Sequence, residues 1–86
     1  MYIVPFRTLP RTIITHPAAL GAALRAARRA RNLRLEDVAF TAGVGIRFVS
    51  ELERGKPTAR LAETLRVIEA LGLGLALEDP DDRPPA

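Results

Sequence analysis

Three features of this 86-residue sequence predict an all-α domain of about four helices with a short C-terminal β-strand. Apolar residues recur at three- and four-residue steps over most of the chain, the signature of helices with one buried face. Glycine and proline stand where those patterns stop and start, as helix boundaries require. The period changes to two only in GLGLALE at 72–78, where Leu73, Leu75 and Leu77 alternate with Gly74 and Ala76.

Pro5 and Pro10 interrupt the first residues, so an extended arm is expected over residues 1–11, including the apolar Tyr2 to Phe6. The β-branched run Thr12 to Thr15 suits a short strand. Pro17 can occupy the first position of a helix, with His16 in its cap region, and the first helix should cover 17–31. Its core face is Leu20, Ala23, Leu24 and Ala27, and Arg25, Arg29 and Arg31 lie on the other side. Asn32 and Leu33 make the turn to a second helix over 35–42.

In LRLEDVAFTAGVGIRFVSELERGK at 33–56, Leu35, Val38, Ala39 and Ala42 share one helical face. Gly43 ends that helix where a left-handed residue is needed. Val44, Val49 and Leu52 begin a second apolar face, which stops at Gly55. After a stiff loop of Lys56, Pro57 and Thr58, with Thr58 expected as the cap, a fourth helix carries the stripe Leu61, Leu65, Ile68 and Leu71. The strand pattern follows, and it needs a pairing partner: either the Thr12 to Thr15 segment or the same strand of a second chain. The domain then spans 12–78. Residues 79–86, acidic and holding Pro80, Pro84 and Pro85, read as a disordered tail.

A helix, a glycine turn and a second helix leave the outer face of the second helix free to enter a DNA major groove. Here that face presents Ile46, Arg47, Ser50 and Glu51 as candidate base-contacting residues. Arg47 can grip guanine O6 and N7 together, Ile46 can meet a thymine methyl, and Ser50 or Glu51 can engage base edges or orient Arg47. Arg34, Arg54, Lys56 and Arg60 stand at helix ends, where they can neutralise phosphates. Phe48 is expected to pack, beneath the arm or against a second subunit.

The spacing of Ala39, Gly43, Val44, Val49, Ser50, Leu52, Glu53 and Gly55 resembles the helix-turn-helix of the lambda-repressor-like (Xre/Cro) family. RFVSELERGKPTARL at 47–61, with the leucine-rich helix and GLGLALE after it, resembles the HipB-like antitoxin branch. The resemblance implies a lambda-repressor-like DNA-binding domain, a transcriptional repressor that controls its own operon, and a HipA-like kinase toxin as partner. It also implies that Arg28 in the first helix pairs with Glu53 as a structural ion pair. The chain departs from the family pattern at Arg34 and Leu35, where Thr-Gln is usual, and at Gly45, where Ser is usual. Side-chain capping of both helices is weaker as a result, by about 0.5 to 1 kcal/mol at Arg34 and a few tenths at Gly45.

Composition narrows the alternatives. Without cysteine and with one histidine, neither a disulfide framework nor a metal centre is expected, and no cofactor. No histidine neighbours Ser50 or Thr41, and no glycine loop leads into a helix as a phosphate cradle would, so an enzyme is not expected. No apolar run reaches the roughly 20 residues of a membrane span, which points to the cytoplasm. Net charge is only +3, yet arginines dominate up to Arg60 while Glu63, Glu69, Glu78, Asp79, Asp81 and Asp82 dominate afterwards. Such a basic body suits a polyanion. One domain of this size reads only a few base pairs, so a homodimer on a pseudo-palindromic operator is expected, with Leu73, Leu75, Leu77 and the fourth helix forming the two-fold contact. Two alternatives stay open: a stand-alone repressor of phage or restriction origin without a toxin, and a helix-turn-helix module used only for protein contact.

Overall fold

The computed structural model describes residues 11–79, so the expected arm, apart from Arg11, and the tail, apart from Asp79, lie outside the described residues. Among the described residues, four helices follow one another: α1 (Pro17–Ala30), α2 (Leu35–Ala42), α3 (Ile46–Glu53) and α4 (Leu61–Ala70). Pro17 opens α1, and His16 is its N-cap, with Nδ1 accepting the Ala19 N–H at 3.3 Å. At α2 the cap works in reverse. The Arg34 side chain has no acceptor, but the Asp37 carboxylate accepts the Arg34 backbone N–H at 2.8 Å, which is the returning half of a capping box. That hydrogen bond is the first cause of an Asp37 pKa below its ordinary value.

All four helices end in the same way. A residue in the left-handed region, Asn32, Gly43, Gly55 or Gly72, lets the following N–H return to a carbonyl five residues back: Leu33 to Arg28, Val44 to Ala39, Lys56 to Glu51 and Leu73 to Ile68. Three of those following residues are apolar, and Leu33, Val44 and Leu73 fold onto the core as the motif favours. Asparagine tolerates this conformation better than other side chains, which accounts for Asn32 at φ 56°.

The core is made by Leu24 of α1, Val38, Ala39 and Ala42 of α2, Val49 and Leu52 of α3, and Val67, Ile68 and Leu71 at the end of the chain of helices. Helix α2 packs on both α3 and α4, while α1 packs on α3. Gly21 makes that last approach close: a Cβ built on it lies 2.5 Å from the carbonyl oxygens of Leu52 and Glu53.

Three expectations are corrected. The buried face of α4 is Thr64, Val67, Ile68 and Leu71, whereas Leu61 and Leu65, placed on the core stripe by their spacing, are exposed. Both sets have helical spacing, and only contact with α2 selects between them. Thr58 does not cap α4: the helix starts at Leu61, Arg60 is the cap residue, and the helix-internal Thr64 hydroxyl donates to the Arg60 carbonyl at 2.7 Å. Residues 73–79 form no strand in the single chain. Strand geometry is stabilised by a neighbour's backbone groups, and among the described residues the Thr12 to Thr15 segment forms no ladder with it either. Arg11 and Glu78 nevertheless form an ion pair, which brings the ends of these two segments together.

Candidate nucleic-acid interface

Helix α3 is short, and its two faces differ sharply. Val49 and Leu52 are buried and Phe48 packs against the core, while Ile46 is half exposed and the Arg47 side chain is 90% exposed. Gly45 precedes it without a side-chain cap, as its lack of a side chain dictates, and so leaves the first turn open.

The helix is held to the body at its far end by Arg28 and Glu53. Arg28 Nε and Nη2 donate to the two Glu53 carboxylate oxygens at 2.7 and 3.1 Å, and Nη1 donates to the Leu33 carbonyl at 2.8 Å. With side chains only 13% and 7% exposed, the two charges satisfy each other out of water. The Glu53 hydrogen bond raises the Arg28 pKa against the opposing effect of desolvation, so the guanidinium stays charged. One side chain thus ties α1, the turn before α2 and the end of α3 together.

On the outer face of α3 the cations and acceptors are already organised. Glu51 Oε2 accepts Arg47 Nε and Oε1 accepts Lys56 Nζ, each at 3.1 Å, while Ser50 Oγ accepts Arg54 Nη1 at 2.8 Å. Arg47, Lys56 and Arg60 line one shallow depression together with Phe48, Glu51 and Ala59. Arg60 lies 3.7 Å from Glu63, a pair open enough to exchange for a phosphate. Arg34 stands apart, on the cap of α2, where it pairs with Glu36 and Asp37 at 3.4 and 3.5 Å. Asp37 escaped the sequence reading, although the Arg34-to-Asp37 spacing is that of a capping box and could have revealed it. Phe40, 89% exposed on α2, had no signal at all.

A family model described as a helix-turn-helix domain matches residues 19–80. The chain belongs to this helix-turn-helix domain family. An uncharacterized HTH-type transcriptional regulator, y4mF of Sinorhizobium fredii (strain NBRC 101917 / NGR234), is 43% identical over 70 residues, 81% of this chain and 92% of that protein. Among solved structures, HipB in a HipA-HipB-O2-O3 complex superposes with a TM-score of 0.77 at 20% identity, over 83% of this chain and all of that one. The restriction-modification controller protein C.AhdI from Aeromonas hydrophila superposes with a TM-score of 0.59 at 33% identity, over 64% of this chain and 83% of that one. The regulator is therefore a DNA-binding transcription factor of a non-enzymatic family, with the HipB fold. No helix among its described residues is long and apolar enough to cross a membrane.

Proposed function

We propose that this regulator is a sequence-specific, homodimeric repressor that inserts α3 into the major groove of a pseudo-palindromic operator. The observation that carries this reading is the outer face of α3, where an exposed Arg47 lies beside Lys56 and Arg60 around one depression. Arg47 and Ile46 read bases at the start of the helix; Arg54, Lys56 and Arg60 behind it, with Arg34 on α2, grip phosphates. The operator is the protein's own promoter, and the regulator is the antitoxin of a HipBA-type operon, neutralising a HipA-like kinase toxin. The HipB fold and the presence of HipB in a complex with HipA support this assignment. A stand-alone repressor is the second reading, favoured by the 33% identity to a restriction-modification controller. A kinase that co-purifies with the tagged regulator from its native cell supports the antitoxin, and its absence supports the stand-alone repressor.

Binding to duplex DNA from just upstream of the regulator's own coding sequence tests the central reading. Wild type is expected to bind as a dimer with an affinity that falls steeply with salt. Arg47→Ala should lose about 1 to 3 kcal/mol together with its preference at one base position. Equal, weak binding of both proteins to any DNA would instead mark a protein-contact module.

Dimerisation is supported by the apolar side chains that the single chain leaves in water. Leu61, Leu65, Leu75 and Leu77 are exposed, the last at 98%. The leucines of 73–77 lack a partner strand, and a second copy supplies one. Deleting everything after Gly72 is expected to give monomers that bind the promoter poorly; a truncated protein that still elutes as a dimer excludes this contact.

A further inference from the structure

We infer that Glu51 is not itself a base reader but a positioning residue, whose carboxylate holds Arg47 and Lys56 side by side and so couples base reading to phosphate gripping. This rests on the DNA-binding reading of α3 above. Two exposed cations converge on this carboxylate, one from a turn earlier on α3 and one from the loop beyond it, and they occupy one oxygen each. With each oxygen already accepting from a side-chain cation, reading the amino group of a cytosine, the base edge that glutamate ordinarily reads, would compete with those two bonds. The bond from Arg47 runs through Nε, which leaves the terminal nitrogens at the end of the guanidinium for guanine O6 and N7.

Lone exposed arginines sample many rotamers, and holding one in a single orientation before binding removes that ordering cost from the complex. The Glu51 side chain is well covered, at 23% exposure against 90% for Arg47, so it is the fixed member of the pair. Its pKa lies below the usual range because Lys56 and then Arg47 donate to it, and it remains ionised at neutral pH. The carboxylate also has a selective effect. Where Arg47 and Lys56 cannot both engage DNA, Glu51 stays a negative charge close to the anionic phosphates, which weakens binding to wrong sequences.

The experiment compares wild type, R47A, E51A, E51Q and R47A/E51A on promoter DNA, on promoter duplexes changed at single base pairs, and on random-sequence duplex. E51A is expected to bind random DNA more tightly than wild type. It should lose preference at the same base pair as R47A, roughly 5- to 150-fold, the range for a bidentate contact. R47A/E51A should discriminate no worse than R47A alone, and E51Q, with one acceptor oxygen in place of two, should fall between wild type and E51A. Loss of preference at a different base pair, with additive effects in the double variant, would show Glu51 reading a base and overturn the inference. A wild type that binds all duplexes alike overturns the DNA-reading role of α3 and with it the coupling. A separate measurement needs no DNA: the Arg47 Nε–H signal in nitrogen-resolved NMR should be distinct in wild type and move to the position of a free arginine in E51A. An identical signal in both proteins shows that Glu51 does not hold Arg47, whatever the DNA results.

Discussion

Glu53→Ala is expected to destabilise the regulator by about 3 to 5 kcal/mol, because it leaves the Arg28 guanidinium charged in a place almost closed to water. For a domain of this size that corresponds to a fall in melting temperature of roughly 15 to 30 °C, measured by circular dichroism. Arg28→Ala should have a similar effect for a different reason: it frees not only the Glu53 carboxylate but also the Leu33 carbonyl. Arg28→Lys cannot replace it, since an ammonium has no planar fork with which to grip two carboxylate oxygens and a carbonyl at once. Replacing both partners with apolar residues, as in R28M/E53L, should recover much of the loss, because no unpaired charge then remains inside. A Glu53→Ala protein within about 1 kcal/mol of wild type would mean that water reaches the pair and that its value is that of a surface bridge.

Gly21→Ala should destabilise by about 1 to 3 kcal/mol even though alanine is the better helix former. The new methyl carbon would sit 2.5 Å from two backbone carbonyl oxygens of α3, and neither can rotate away as a side chain would. Helices α1 and α3 must separate to admit it. Gly55 repeats the situation from the other side, at φ 86° and with a built Cβ 2.7 Å from the Cα of Ala18. Denaturant melts of Gly21→Ala and of Ala22→Gly, a change at the exposed neighbouring position, give the comparison. The second substitution should cost about 0.5 to 1 kcal/mol through helix propensity alone. A Gly21→Ala protein more stable than wild type would show that the crossing has room to relax. Because α3 carries the proposed reading face, the same substitution should also weaken promoter binding through displacement of Arg47 and Lys56.

Much of this architecture is legible in the sequence. The bounds of α2 and the start of α1 follow from apolar spacing with Gly43 and Pro17 as punctuation, and the end of α1 lies one residue from its expected place. The outer face of α3 was equally plain, since Val49 and Leu52 can be buried only if Arg47, Ser50 and Glu51 turn outward. What misled was α4. Its six apolar residues, among them Leu61, Leu65, Val67 and Ile68, offer two overlapping stripes, and spacing alone ranks neither.

By itself, then, the amino-acid order determined the start of α1, the bounds of α2 and which side of α3 faces outward, because capping, left-handed turns and helical periodicity act over five residues or fewer. Only the tertiary structure decided which face of α4 meets α2, that α1 and α3 cross at Gly21, and that Glu51 holds two cations rather than one. Those outcomes depend on where helix axes cross and how the loop after α3 returns, and no local pattern encodes either. The strand pattern of 73–77 belongs with them: its alternation is written in the chain, but a strand forms only when a second backbone supplies its hydrogen bonds.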